Sequence, residues 1–245
     1  MNSTNETPRE AKCMMEQNDL PLLAAYSARF ERLAPSKTMA ETAYDRVSEL
    51  LMDGAYQPGD RLVTRAVANE LDIGLTPVRE ALLRLAGEGT LDQVNSRAMT
   101  VPILSAARLV EIYKLRLALE PMIAAEAIDK MPVAAFSNLE ASMVAMADAY
   151  KRQDYRAAFK QNRRFHFAIY QAAEMPFVLN VIRSAWRMVG PMFRQADPGA
   201  ADPKEALEIH SGVMDALKRR NAAQLRSWLC QDLKRGRRLL RSLID

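Results

Sequence analysis

The stretch from Arg65 to Pro102 restricts the possible folds more than any other part of this chain. Helix-forming residues at Arg65–Leu71 are followed by a tight turn and by a second helical segment that opens at Thr76. Two short strand-forming runs come next, at Leu91–Val94 and Met99–Pro102. Two short helices followed by a two-stranded hairpin predict a winged helix-turn-helix, an arrangement that places one helix in the major groove of DNA.

The second helix carries its own local signals. Thr76 is a candidate N-cap, and Pro77 suits the first helical position, where no backbone N–H is needed. The positions expected to face inward recur at helical spacing and are all apolar: Val78, Ala81, Leu82 and Leu85. Thr76, Pro77 and Arg79 remain near the exposed N-terminal end, where an arginine can form two hydrogen bonds to a guanine. The alternative is an ordinary helical hairpin in which Arg79 is a solvated charge.

Three motifs between Ala40 and Val101 indicate a family. They are Gln57-Pro58-Gly59-Asp60-Arg61-Leu62, Thr76-Pro77-Val78-Arg79-Glu80-Ala81-Leu82, and Arg84-Leu85 with Glu88-Gly89. Through them this stretch resembles the N-terminal domain of GntR-type bacterial transcription regulators. In that family the residues that match Arg65, Thr76 and Arg79 contact operator DNA, so the resemblance implies that they bind double-stranded operator DNA here.

Two positions depart from the family pattern. The family usually has an arginine at the position of Leu75, so one DNA-contacting arginine is missing from this chain. The tip of the wing lacks the two usual glycines, and Arg97 remains there to reach the minor groove or a phosphate. The operator sequences of relatives are therefore not expected to carry over.

Composition bounds the class of protein. The 245 residues can hold two domains, and no apolar run approaches the length of about eighteen residues that a membrane span needs. The polar segment Met1–Cys13 lacks the apolar region of a secretory signal. Cys13 and Cys230 form no redox or metal motif. We therefore expect a cytoplasmic protein without a membrane partner.

The distribution of charge limits how DNA could be bound. Between Lys37 and Val101, seven Lys and Arg stand against ten Asp and Glu. DNA binding must therefore depend on a few well-placed arginines rather than on bulk charge. The basic excess lies in the run Lys234–Arg241, which is expected to be mostly a solvated helix face.

The remainder of the chain shows only helical periodicity. Helices are expected at about 105–130, 133–152, 154–173, 176–196, 203–219 and 221–242. Short breaks between amphipathic helices predict an antiparallel all-α bundle. The fold class is then mainly α, with a polar arm at 1–37 (Leu20–Leu33 partly helical), a winged helix-turn-helix domain (α/β) at 38–103 and the bundle at 104–245.

The chain has two histidines, His166 and His210, and both fall on apolar helix faces. Asn162 precedes His166 by four residues, so both side chains project from one face, as two metal ligands on a helix require. Asp232 lies on another apolar stripe and needs a partner there, because burying an unpaired carboxylate is unfavourable. Spacing alone equally fits histidines that are hydrogen-bonded core residues.

A second resemblance bears on these residues. The segments Glu111-Ile112-Tyr113-Lys114-Leu115-Arg116, Asn162-Arg163-Arg164-Phe165-His166 and Glu208-Ile209-His210 are similar to the FCD ligand-binding domain of the FadR branch of the same family. The resemblance implies a divalent metal (zinc, nickel or manganese) held by Asn162, His166, His210 and, in place of a histidine, Asp232. It also implies that Arg116 faces the effector cavity and binds a small organic acid, although Arg116 could instead pair with Glu120 on its own helix.

These observations favour a regulator, a homodimer that binds a pseudo-palindromic operator and is controlled by a small carboxylate effector near the metal. We expect the protein to repress transcription and the effector to relieve that repression. One alternative is a metal-dependent helical hydrolase with a DNA-binding appendage, although no second acid or base stands at a suitable spacing. Another is a regulator that senses a long-chain acyl ligand and uses the metal only for structure.

Overall fold

The computed structural model describes residues 37–95, 97–195, 202–241 and 243. The first six elements in chain order are α1 (Met39–Met52), β1 (Arg61–Val63), α2 (Thr64–Leu71), α3 (Leu75–Gly87), β2 (Asp92–Asn95) and β3 (Ala98–Thr100). The next six are α4 (Ala106–Ala127), α5 (Ala135–Lys151), α6 (Tyr155–Gln171), α7 (Pro176–Phe193), α8 (Pro203–Lys218) and α9 (Ala222–Arg241). The predicted fold class is confirmed: a winged helix-turn-helix precedes a helical domain.

Each of the six helices predicted for the C-terminal part contains one observed helix and is longer than it by a few residues at one or both ends. The helical character predicted for Leu20–Leu33 lies outside the described residues, as does nearly all of the predicted arm at 1–37. No helix among the described residues combines the length and the apolar character that crossing a membrane requires.

The winged part is organised around a three-stranded antiparallel sheet with the order β1-β3-β2. Leu62 of β1 pairs with Met99 of β3, and both side chains are buried against the three helices. Asp72 adopts a left-handed conformation with φ 53° and ends α2, which produces the sharp turn into α3. The inward positions predicted on α3, Val78 among them, are all buried.

Helix α3 begins at Leu75, so the N-cap predicted from the sequence is wrong. Gly74 is the capping residue, and its carbonyl oxygen accepts from the N–H of Val78 at 3.3 Å. Thr76 makes no capping hydrogen bond and lies exposed in the first turn. Pro77 is the third helical residue instead of the first, and it is tolerated there because the first-turn N–H groups have no partner within a helix.

The winged and helical parts belong to one compact unit that spans Met39–Asp245. Helix α1 packs along α7, and Met52 joins the main core cluster of the helical domain. The two backbones meet without intervening side chains: a Cβ on Gly54 would lie 2.9 Å from the carbonyl oxygen of Gly190, and a Cβ on Gly190 would lie 2.9 Å from Cα of Met52. We call this contact the domain junction.

Candidate functional site

The predicted DNA-reading residues lie on the surface of the winged part. Thr76 and Arg79 are exposed on the first turns of α3, with Pro77 half-buried between them. Leu75, at the position where the family usually has an arginine, is also exposed, at 54%. The N-terminal end of α3 therefore presents one arginine, one hydroxyl and one apolar side chain, a set suited to base edges in a major groove.

The wing tip is tied to the start of α2. The carbonyl oxygen of Arg97 accepts from both the N–H and the hydroxyl of Thr64, each at 3.1 Å, and the N–H of Arg97 donates to Asn95 Oδ1 at 2.9 Å. Arg65 follows Thr64 directly, so its backbone is held beside that of Arg97. Both arginine side chains are exposed. This brings two cations of the predicted DNA-binding surface together, although they are far apart in the sequence.

The four predicted metal-site residues meet inside the helical domain. Helix α6 supplies Asn162 and His166, α8 supplies His210 and α9 supplies Asp232. Nε2 of His210 lies 2.8 Å from Oδ1 of Asn162, and Nε2 of His166 lies 3.1 Å from Oδ2 of Asp232. Three possible ligand atoms lie within 4.8 Å of one another, one each from His166, His210 and Asp232.

The hydrogen bonds of the two imidazoles decide which nitrogen carries the proton. Nδ1 of His210 lies 2.7 Å from the carbonyl oxygen of Ala206, which can only accept, so Nδ1 carries the hydrogen. Nδ1 of His166 lies 3.2 Å from the Tyr170 hydroxyl, which itself donates to Glu120 at 2.8 Å; Nδ1 of His166 therefore also donates. With Nδ1 carrying a hydrogen in both rings, Nε2 is the nitrogen that faces Asn162 in His210 and Asp232 in His166.

The charge states also suit a cation. Burial lowers the pKa of His210 to about 4, so the ring is neutral at pH 7. Burial alone would raise the pKa of Asp232, but the contact with His166 and the neighbouring cationic charge hold it below its usual range. Nε2 of His166 is close to Asp232 but out of line for a hydrogen bond, so this buried nitrogen has no partner among the described residues. Such a set of lone pairs fits a divalent cation.

A cavity of about 80 Å³ adjoins this group. Its polar lining consists of Tyr113, Arg116, Tyr150, Tyr155, Asn162, Asp232 and Arg235, and its apolar lining of Phe159, Trp186, Phe193, Leu233, Gly236 and Leu239. Arg116, the predicted effector residue, is therefore at the cavity. Its guanidinium also lies 4.5 Å from the centre of the Trp186 ring.

Glu120 is the buried centre of the polar groups behind the cavity. Its carboxylate accepts from Arg116 at 2.5 and 3.4 Å, from Tyr170 at 2.8 Å and from Trp186 Nε1 at 3.2 Å. The pairing of Arg116 with Glu120 that the sequence left open is thus present, and it coexists with a place at the cavity. Through Tyr170, the same carboxylate orients His166.

Three arginines of the helical domain hold the winged part, and each directly follows a residue that lines the cavity. Arg163 donates to Asp53 at 2.5 Å and follows Asn162. Arg187 donates to Glu88 at 2.9 Å and follows Trp186. In the same way, Arg194 follows Phe193 and donates to the carbonyl oxygen of Ala55 at 2.7 Å. Glu88 is the C-cap residue of α3, the helix that is predicted to contact DNA.

Sequence reasoning missed several of these residues. From the sequence, Glu120 was expected only as a partner of Arg116 on the same helix. The three arginines that contact the winged part, which we call the junction arginines, were not singled out. Arg235 lies within the basic run that was expected to be solvated, yet it is 7% exposed and lines the cavity. The signal for Arg235 was its position three residues after Asp232, which places both on one face of α9.

Comparison with known proteins agrees with both halves of this arrangement. Residues 39–101 match the family described as bacterial regulatory proteins, gntR family, and residues 111–235 match the FCD domain. The chain is 30% identical over 187 residues to the HTH-type transcriptional regulator McbR of Escherichia coli (strain K12), covering 75% of this chain and 84% of McbR. It is 28% identical over 226 residues to the Uxu operon transcriptional regulator of the same strain, covering 79% and 85% of the two chains.

Solved structures show the same likeness. The structure of E. coli McbR/YncC superposes with a TM-score of 0.79 at 28% identity, covering 86% of this chain and 100% of the other. A GntR transcriptional regulator from Rhodococcus sp. RHA1 has a TM-score of 0.64 at 19% identity, covering 83% and 97%, which is a likeness of fold. The chain therefore belongs to the GntR family of bacterial regulatory proteins and is a DNA-binding transcriptional regulator with a GntR-type winged helix-turn-helix and an FCD domain.

Proposed function

We propose that this regulator is a homodimeric repressor whose operator binding is weakened by a small carboxylate bound beside a divalent metal in the FCD domain. The observation that carries the proposal is the meeting of two imidazoles and one carboxylate at the edge of a cavity that also contains buried arginines. The homodimer is inferred from the reading head, because two identical heads read two half-sites of a symmetric operator.

The metal would be held by His166, His210, Asp232 and the amide oxygen of Asn162. Both histidines already donate their other ring hydrogen to oxygen acceptors, as metal-bound histidines usually do. A bound divalent ion would supply positive charge and open positions for a carboxylate. Two nitrogen and two oxygen donors are compatible with zinc, nickel or manganese.

The size and charge of the cavity support a small acid. A water-sized group needs roughly 10 to 15 Å³ of such space, so about 80 Å³ admits a molecule of roughly five to eight non-hydrogen atoms. This size opposes the alternative of a long-chain acyl effector. The catalytic alternative, a metal-dependent hydrolase, is not favoured by the relatives, which are named as transcriptional regulators.

The three junction arginines provide the route from cavity to DNA. A ligand that displaces Asn162, Trp186 or Phe193 also moves the arginine that follows each of them in the chain. Those arginines fix the ends of α1 and α3, so their movement shifts the reading helix relative to the bundle. Arg187 is only 4% exposed and is therefore surrounded by packed protein atoms. A shift of its side chain displaces those atoms and not water. We therefore propose that the effector weakens a reading arrangement that these contacts hold in place.

The test begins with selection of the preferred operator from random duplex DNA by the purified full-length chain. Operator affinity is then measured by fluorescence anisotropy with zinc and a panel of small carboxylic acids, and again after chelation. We expect a pseudo-palindromic site, a dimer by light scattering, and an acid class that weakens binding only when metal is present. Operator affinity that no acid alters in the presence of zinc, nickel or manganese would reject control by a carboxylate.

A further inference from the structure

Buried polar atoms without a partner are concentrated around the cavity. Among the described residues, four such side-chain atoms occur: the hydroxyls of Ser48 and Tyr113, Nε2 of His166 and Nε of Arg235. Tyr113 and Arg235 line the cavity, and His166 belongs to the adjoining metal group. Folded proteins leave few buried polar groups unpaired, so their clustering at one cavity indicates a ligand that completes them.

Tyr113 is a hydrogen-bond donor that lacks an acceptor. Its side chain is fully buried, and burial raises the pKa of the hydroxyl to about 12, so the hydroxyl keeps its proton at pH 7. The nearby Arg116 cannot accept a hydrogen bond, because a guanidinium has only donors. The hydroxyl lies at Gly236, where an added Cβ would be 3.0 Å from the Tyr113 oxygen. A larger residue at position 236 would crowd this hydroxyl.

Arg235 is a buried cation whose charge is only partly compensated. One terminal nitrogen donates to the carbonyl oxygen of Asp202 at 2.9 Å, while Nε lies 3.4 Å from Glu205 without the alignment of a hydrogen bond. Glu205 is shared, because it also accepts from Arg238 at 2.6 Å. Arg116, by contrast, forms two hydrogen bonds with the buried carboxylate of Glu120. Nε of Arg235 is therefore a buried donor without a hydrogen-bond acceptor among the described residues.

These donors point to an anion-binding subsite that is distinct from the metal group. We propose that Tyr113 and Arg235 bind a second carboxylate of the effector, whose first carboxylate lies at the metal-site residues. The effector is then a short dicarboxylate instead of a monocarboxylate. This inference rests on the proposed function, since it assumes that the cavity receives an acid. A cavity of about 80 Å³ is well matched to an acid of roughly the length of malonate or succinate.

The test compares succinate with butyrate, which has the same carbon skeleton and one carboxylate fewer. Dissociation constants are measured by isothermal titration calorimetry on the full-length chain loaded with zinc. We expect succinate to bind at least about tenfold more tightly than butyrate, since a hydrogen bond to a charged group typically contributes that much or more. Tyr113→Phe and Arg235→Gln should each weaken succinate binding by about tenfold or more and leave butyrate binding nearly unchanged.

Two matched variants separate a specific effect from a general one. Arg238→Gln removes a neighbouring arginine that contacts the same Glu205. Tyr56→Phe removes a hydroxyl that donates to Glu70 and does not line the cavity. Both should keep the preference for succinate. Tyr113→Phe should also unfold at the wild-type temperature or above it, because it deletes an unpaired buried hydroxyl. A purely structural role for Tyr113 predicts a lower temperature instead.

The outcomes also separate this inference from the function on which it rests. Equal binding of the two acids, with both weakening operator binding, would overturn the subsite and leave the carboxylate-controlled regulator intact. A succinate preference that survives in Tyr113→Phe and Arg235→Gln would likewise overturn the subsite. If neither acid binds and no other carboxylate affects operator binding, both proposals are rejected.

Discussion

Replacing Gly190 by alanine should loosen the junction between the winged and helical parts. The added Cβ would lie 2.9 Å from Cα and from the carbonyl oxygen of Met52, and nearer still to the carbonyl oxygen of Leu51. Ordinary contacts of this kind start at about 3.4 Å. The obstructing atoms belong to the backbone of α1, so no side chain can rotate away, and α1 and α7 must separate by about 1 Å to reach ordinary contact.

The magnitude follows from two opposing effects. Overpacking of a well-packed contact costs about 1–3 kcal/mol, and the rigid surroundings place this case near the upper end. Alanine is favoured over glycine inside a helix by up to about 1 kcal/mol, which offsets part of that cost. The free energy of unfolding should therefore fall by about 2–3 kcal/mol, or about 4–12 °C in Tm for a chain of this size.

Calorimetry on three glycine variants tests this reasoning. Gly87→Ala is the matched control, because Gly87 also lies in a helix and an added Cβ there meets nothing within 4 Å. It should raise Tm slightly. Gly212→Ala crowds the ring of Trp228 within the helical domain, so it should lower Tm without affecting the junction. Hydrogen exchange of the α1 amides should accelerate in Gly190→Ala alone. A Gly190→Ala protein as stable as Gly87→Ala would refute the described packing of α1 on α7.

Three further outcomes are expected. Arg79→Ala should weaken operator binding by about 1–3 kcal/mol in the anisotropy assay and relax the preference at one base pair. Arg226→Ala removes an exposed arginine of α9 and should leave operator affinity unchanged in the same assay. Zinc at about a hundred times its Kd should stabilise the chain by about 2.7 kcal/mol, and a thermal shift that persists in His166→Ala would contradict the assigned site. In the presence of a chelator, the free energy of unfolding should decrease as the pH falls from about 6.5 to 4. The pKa of His210 is about 4 in the folded chain and 6.5 in the reference state. Between these values the unfolded chain binds a proton that the folded chain does not, which favours unfolding. The loss should reach up to about 3 kcal/mol, measured by urea denaturation, and His210→Gln should show a shallower dependence on pH.

Features that are local in the sequence could be predicted well. Pro58-Gly59 predicts a turn into a short strand at Arg61–Val63, because the turn fixes where the chain becomes extended. Strand β1 is observed at those residues. The predicted N-cap at Thr76 failed for a local reason as well, since the turn ends at Gly74 and the helix starts one residue later. The meeting of the four predicted metal-site residues could be foreseen from helix periodicity together with the family resemblance, and their binding of a metal stays a proposal.

Contacts between distant segments could not be predicted. Asp53 and Arg163 are 110 positions apart, and nothing in the pattern around either residue names the other as its partner. Arg235 was hidden by composition, because a buried arginine inside a run of five basic residues looks like its solvated neighbours. Its burial becomes apparent only when Glu205 of α8 and Asp202, the N-cap of that helix, pack against α9.

The four hydrogen bonds to Glu120 have a consequence for how regulators of this kind could diversify. A substitution at Arg116, Tyr170 or Trp186 leaves the shared carboxylate with an altered set of donors, so changes at these positions are strongly coupled and cannot accumulate one at a time. The cavity wall also contains Phe159 and Phe193, which make no hydrogen bond to that carboxylate. New effector preferences should therefore arise by remodelling the aromatic wall while the buried carboxylate and its donors are inherited together.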